Sequence, residues 1–122
     1  MSSGRQRLGA AAEDAAERFL VAQGLQILER NFRRRLGEID LIARQGEVLV
    51  MVEVRTRSSA AFGGAAASVS VAKQRRIVRT AQQLLQRQRA LAALRARFDV
   101  IVVHQPAAAV PRIEWIRHAF EA

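Results

Sequence analysis

The stretch from Gly37 to Arg57, GEIDLIARQGEVLVMVEVRTR, restricts the fold more than any other part of the chain. Two apolar runs rich in Ile, Leu and Val flank Arg44-Gln45-Gly46, where Gly lets the backbone reverse, so the stretch reads as a β-hairpin. Asp40 and Glu53 sit inside those apolar runs. A carboxylate there costs free energy unless it is paired, hydrogen-bonded or metal-bound. A loop of Gln45 and Gly46 would pair Arg44 with Glu47, set Asp40 opposite Met51 and set Glu38 opposite Glu53. Side chains alternate between faces along a strand, which puts Glu38, Asp40, Met51, Glu53 and Arg55 on one face. Asp40 and Glu53 become diagonal neighbours, roughly 7–8 Å apart by backbone position. Carboxylates so grouped need a cation among them. The candidates are Arg55, two residues from Glu53, and a hard divalent metal, which favours oxygen ligands.

The flanking sequence places this hairpin in a larger sheet. Ser2 or Ser3 caps a first helix that ends near Gln23, with Gly24 as its stop. Leu8, Ala12, Ala15, Ala16, Phe19 and Leu20 form its apolar stripe. Glu13 lies beside that stripe and, taken alone, reads as a solvated acid paired with Arg. Leu25 to Phe32 is a first strand, with Leu25, Ile27 and Glu29 at alternate positions. Arg33, Arg34 and Arg35 follow as a basic turn, either placed to touch phosphates or simply solvated. Ser58 to Ser70 is a small-residue loop carrying Phe62, able to close over a ligand or merely to connect.

Ser70 caps a second helix from Val71 to about Gln88, with Ile77, Val78, Ala81, Leu84, Leu85 and Leu91 buried. Arg75, Arg79, Gln82, Gln83 and Gln86 form its solvent face, and Lys73 projects at the flank of the buried stripe. Arg97 to His104 is almost continuously apolar, as in a strand buried on both faces. Arg112 to Ile116 reads as a short edge strand carrying Trp115, with the last residues trailing or turning. His104 and His118 stand apart from other metal-ligand types and read as structural or surface residues. The order helix, three antiparallel strands, crossover helix, parallel strand predicts an α/β (α+β) fold with a mixed central sheet flanked by helices. At 122 residues the chain forms one domain over 1–122, with a core of about 7–104 and a C-terminal extension of 105–122.

Charge and composition narrow the partner. The net charge of +9 points to a polyanion, most simply nucleic acid. Nineteen of the twenty basic residues are Arg and one is Lys, beside abundant Ala, so part of that charge reflects compositional bias. Lys73 is the one residue that escapes it. The chain has no Cys, which excludes thiolate metal sites, Cys nucleophiles and disulfides and fits a reducing cytoplasm. No signal segment is visible, and the apolar runs Val48–Val52 and Val100–Val103 are too short to span a bilayer. Gly-rich phosphate loops, nucleophile elbows and internal repeats are absent.

An Asp on one strand and Glu-x-Arg on the next, then a helix and a buried strand, resembles the core of the PD-(D/E)xK nucleases. More closely, the chain resembles the bacterial YraN family, whose members are similar to archaeal Holliday-junction resolvases and of restriction-endonuclease-like fold. The resemblance runs from about Arg7 to His104. It rests on the Gly9–Glu13 stretch, Asn31, GEIDLIA, VEVRTR, FGGAAASVSVAKQRRI and RFDVIVV.

The resemblance implies Mg²⁺ or Mn²⁺ held by Asp40, Glu53 and the Val54 carbonyl, with Glu13 as a further acid and a metal-activated water attacking a DNA phosphodiester. It also marks two departures: Ile39 stands where the motif has Pro, and Arg55 where it has Lys. Arg55 stays protonated and is a poor general base, which leaves Lys73 to supply the ammonium from the neighbouring helix. Arg33, Arg34, Arg35, Arg57, Arg75 and Arg76 are the expected nucleic-acid contacts. Resolvase-like proteins commonly work as dimers on two-fold substrates, which extends to this chain the expectation of a homodimer through Phe62 or the C-terminal segment. The alternatives are a nucleic-acid-binding module that no longer cuts, and a protein-interaction domain whose Glu38, Asp40, Glu53 and Arg55 form a structural charge cluster.

Overall fold

The computed structural model describes residues 4–57 and 68–122, with side chains from residue 9 onward. The expected caps Ser2 and Ser3, the Leu8 side chain, Phe62 and most of the Ser58–Ser70 loop lie outside the described residues. The elements run α1 (Gly4–Ala22), β1 (Gln26–Arg34), β2 (Gly37–Gln45), β3 (Val48–Arg57), α2 (Val71–Arg87), α3 (Arg89–Ala92), β4 (Arg95–His104) and β5 (Arg112–Phe120). The five strands form one sheet in sequence order. The β1–β2, β2–β3 and β4–β5 pairs are antiparallel, and β3–β4 is parallel with α2 in the connection. The mixed sheet between helices predicted from the sequence is the observed architecture.

Each face of the sheet buries one helix. On one side Ala12, Ala16 and Leu20 of α1 meet Leu41, Ala43, Val50, Val52, Ile101 and Val103. Small residues at the α1 contact let the helix approach the strands closely. On the other side Ile77, Ala81 and Leu84 of α2 meet Ile42, Leu49, Met51, Phe98, Val100 and Val102. Each such Leu, Ile or Phe contributes about 1.5–3 kcal/mol on full burial. β3 and β4 supply both cores, which is why their sequences are apolar at successive rather than alternate positions. Ser70 caps α2 by accepting from the Lys73 amide at 3.2 Å.

Several boundaries differ from the sequence reading. Gln45 pairs with Val48, so the hairpin loop is Gly46-Glu47 rather than Gln45-Gly46. Gly46 has φ +59°, and a type II′ turn wants Gly at its first loop position. The partner of every β2 residue therefore moves by two, which preserves the faces. The β1 strand continues through Arg33 and Arg34, leaving only Arg35 and Leu36 for the turn. It also carries an extra residue, Leu28, between the pairs Ile27–Ala43 and Glu29–Ile42. Instead of trailing away, the C-terminal segment forms a nine-residue strand, β5.

What sustains β5 is Asp99, a fully buried carboxylate in β4. It accepts from Arg97 Nε and Nη2, from Trp115 Nε1 and from the His118 amide, each at 2.9 Å. His118 has φ +53° at an irregularity where β5 holds three residues opposite the single Asp99. Four hydrogen bonds to one carboxylate fix that bulge. Among the described residues no helix is long and apolar enough to cross a membrane.

Candidate acidic site and basic groove

The pairing of β2 with β3 ends at Leu41–Val52. Beyond it β2 stays with β1 as far as Arg34–Gly37, and β3 stays with β4 as far as Arg57–His104. The sheet thus forks, and the first residues past the fork are Asp40 on one arm and Glu53 on the other. The diagonal relation expected from the sequence is corrected to a direct one by the changed turn. The Val54 amide donates to Asp40 Oδ2 at 2.8 Å, so the side chain satisfies a backbone group at the point where the strands part.

Burial pushes the Asp40 carboxyl up to about 9, aided by its hydrogen bond to Glu53 and by the Glu53 charge, with a smaller contribution from Glu13. At neutral pH these causes favour the protonated form of Asp40, hydrogen-bonded to Glu53. Asp40 is half-buried and Glu53 is buried. Its Oε2 lies 2.7 Å from Lys73 Nζ but makes no well-directed hydrogen bond among the described residues. Asp40, Glu53 and Lys73 are the predicted residues that come together.

The cation beside Glu53 is Lys73 and not Arg55. Arg55 is half-buried two residues along β3 and forms no ion pair or hydrogen bond among the described residues. Glu13 stands at the margin of the site, with its Oε1 accepting from Arg30 Nε at 3.3 Å and from Asn31 Nδ2 at 3.2 Å. Asn31 has φ +56°, a left-handed conformation that Asn tolerates better than most residues. It lies on β1 between the pairs Arg30–Leu41 and Phe32–Ile39, level with Asp40. Asn31 thus ties Glu13 beside the pair, a positioning role that its sequence alone did not reveal.

Lys73 also lines a concavity of about 630 Å³ together with Arg33, Arg34, Arg35, Leu36, Gly37, Glu38, Arg76 and Ile77. Gly37 makes its wall thin. A Cβ there would stand 3.1 Å from Thr80 Oγ1 and 3.2 Å from Arg76 Cβ. Arg33 pairs with Glu38 at 3.0 Å, and the Arg34 guanidinium lies 4.1 Å above the Phe32 ring. Arg75 does not join this group: it lines a different concavity with Val71, Arg79, Gln82 and Glu121. Arg57 ends β3 opposite His104.

Comparison with known proteins places this geometry in a family. The profile of the uncharacterised protein family UPF0102 matches residues 12–103. A UPF0102 protein of Methylobacillus flagellatus is 48% identical over 116 residues, covering 95% of this chain and 98% of the relative. Another from Saccharophagus degradans is 51% identical over 112 residues, covering 92% and 91%. A third, from Desulforapulum autotrophicum, is 47% identical over 121 residues, covering 99% and 98%. The matched span holds the forked strands, Glu13, Asn31 and Lys73, and the chain belongs to the UPF0102 family.

Proposed function

We propose that the protein is a metal-dependent phosphodiester hydrolase acting on nucleic acid, DNA in the first instance, with Asp40 and Glu53 as the metal-holding carboxylates. The observation that carries this reading is the placement of Asp40 and Glu53 together just past the fork, with a shielded Glu53 oxygen that lacks a directed hydrogen bond among the described residues. Among the described residues no three His, Cys, Asp or Glu side chains form a ligand group. Two carboxylates fit Mg²⁺, which typically takes one or two carboxylates and completes its shell with water and substrate phosphate. Mn²⁺ suits the same oxygen donors. Bound there, such an ion would supply Lewis acidity to a phosphate and lower the pKa of water.

The chain's own residues do the rest. Asp40 must release its proton for both carboxylates to hold a cation. Lys73, a compact ammonium with three donors, holds negative charge at the phosphate. Arg55 stays protonated and so stabilises charge without taking a proton from water. Arg33, Arg34, Arg35 and Arg76 hold neighbouring phosphates by bidentate contacts.

A second reading has its own observation. Lys73 already neutralises Glu53 without a metal, as a module that binds nucleic acid and does not cut would require. A cleavage assay separates the two, using labelled single-stranded, duplex, flapped and four-way-junction DNA with Mg²⁺, Mn²⁺ or EDTA. Cutting that needs the ion and is lost in Glu53→Ala supports the hydrolase. Binding alike in both proteins, with no cutting under any condition, supports the binding module.

A further inference from the structure

Arg34 and Arg35 line two concavities. One is the space of about 630 Å³ that reaches Lys73 and Arg76. The other, of about 310 Å³, is bounded by Gln83, Gln86 and Arg87. The α2 residues concerned, Lys73, Arg76, Gln83 and Arg87, recur at spacings that keep them on one side of a helix, flanking the buried Ile77, Thr80 and Leu84. We infer that the two concavities are one track for a single nucleic-acid strand. It runs beside α2 from Lys73, next to the acidic pair, to Arg87, with Arg34 and Arg35 reaching over its middle.

This extends the nucleic-acid reading above and rests on it. Three features favour one strand over a duplex. The track is walled by the β1–β2 turn and by α2, and its concavities are small. A B-form duplex carries two backbones across a major groove about 12 Å wide, whereas a single strand brings one backbone to be held. The turn also carries Leu36, an apolar side chain 44% exposed beside three Arg, at the first concavity. Leu36 offers a base an apolar surface, which only an unstacked base presents in return.

At the far end the Gln83 Oε1 atom is shielded and has no hydrogen-bond partner among the described residues. A shielded acceptor of this kind is satisfied by a donor on a bound base edge. The fourteen-residue step from Lys73 to Arg87 spans about 21 Å along the helix, the length of about six stacked nucleotides at about 3.4 Å each. Affinity comes chiefly from Arg–phosphate contacts, so the track is indifferent to sequence over most of its length.

The test is fluorescence anisotropy in EDTA with dye-labelled oligothymidylates of increasing length. Wild type is compared with Arg87→Ala and with Arg79→Ala, which removes the same charge from the separate concavity lined by Arg75, Gln82 and Glu121. Both side chains are exposed, so both variants fold. The expected result is an affinity that climbs with length and levels off near about six nucleotides. Arg87→Ala weakens the longer oligomers several-fold, spares the shortest and shallows the salt slope by about 0.7. Arg79→Ala changes neither. Equal effects of the two variants would overturn the track, as would duplex binding tighter than a single strand of equal length, or no binding at low salt.

The same proteins assayed with Mg²⁺ or Mn²⁺ keep this inference distinct from the hydrolase reading. Cutting without any Arg87-dependent length preference would sink the track alone. Length-dependent binding that needs Arg87, with no cutting, would uphold the track and sink the hydrolase.

Discussion

Lys73 Nζ, from the first turn of α2, stands 2.7 Å from Glu53 Oε2 on β3. It is the single ammonium side chain in a sequence with nineteen Arg. The pair links the helix on one face of the sheet to the acid at its fork. A guanidinium would bring a wider, planar fork to the same oxygen and meet it in a different geometry.

Replacing Lys73 by Ala removes the cation from a buried acid. The metal-free protein should lose about 1–3 kcal/mol in urea unfolding, the cost of a shielded polar group without its partner. The loss stays in that range because Lys73 is itself 37% exposed. Saturating Mg²⁺ or Mn²⁺ should recover most of it, since a dication at Glu53 replaces the ammonium. If the protein is the proposed hydrolase, cleavage should fall by about 10²–10³-fold, as for loss of one donor to developing charge. Full activity in Lys73→Ala would remove Lys73 from the site.

The raised Asp40 value makes a pH-dependent contribution to stability. Folded Asp40 keeps its proton up to about 9, whereas the unfolded group releases it near 3.8. Between those values the folded state binds more protons, so stability falls as pH rises. The contribution is fully present below the unfolded value and is lost through the folded one, at no more than about 1.4 kcal/mol per pH unit. Asp40→Asn mimics the protonated form. In EDTA its melting temperature should match wild type near pH 4 and exceed it increasingly towards pH 9. Parallel profiles for the two proteins would contradict a protonated Asp40.

Gly37 tests the seam between β2 and α2. The Cβ of Gly37→Ala would press on Thr80 Oγ1, which is committed to a 2.8 Å bond with the Arg76 carbonyl, and on Arg76 Cβ. The strand and helix must separate slightly. The expected cost is about 1–3 kcal/mol, typical of overpacking, read by denaturant unfolding. Because Gly37 and Arg76 both line the groove, oligonucleotide affinity should drop in the folded protein as well. Unchanged stability would mean that this contact relaxes freely.

Asp99→Ala should strike stability without touching the acidic site. It strands Arg97 and frees Trp115 Nε1 and the His118 amide. Breaking a buried pair of this kind costs about 3–5 kcal/mol. Trp115 is the sole tryptophan, so its emission should shift to the red as β5 loosens, while the divalent-ion binding proposed at Asp40 and Glu53 should be unaffected. An unshifted emission would mean that β5 holds without Asp99.

Much of this architecture could be read from periodicity. The apolar stripe of α2, the doubly buried β4 and the acids within apolar strands all left their marks in composition and spacing. The hairpin register did not, because Gln45-Gly46 and Gly46-Glu47 are equally short loops. A type I′ loop of Gln45-Gly46 would need positive φ at both residues, whereas a type II′ loop of Gly46-Glu47 needs it at Gly46 alone, so the backbone at Gln45 decides between them. The face of each acid survived that error because a shift of two residues keeps strand parity. Lys73 was suggested by its rarity, yet its partner could not be, since Lys73 and Glu53 meet only after the sheet and α2 have packed. β5 was underestimated because its persistence depends on Asp99, thirteen residues before the strand begins. Gln83 and Gln86 read as a solvated face because the wall opposite them comes from Arg34 and Arg35, at the end of β1 and in its turn.

The fork at Leu41–Val52 has a mechanical consequence. Beyond it the two acids ride on separate prongs, bridged by side-chain contacts rather than a backbone ladder. The gap between them can widen or narrow without breaking any rung of the sheet. When Asp40 gives up its proton, the prongs can settle at whatever span a bound group would require. A pair of acids on one continuous strand would have no such tolerance.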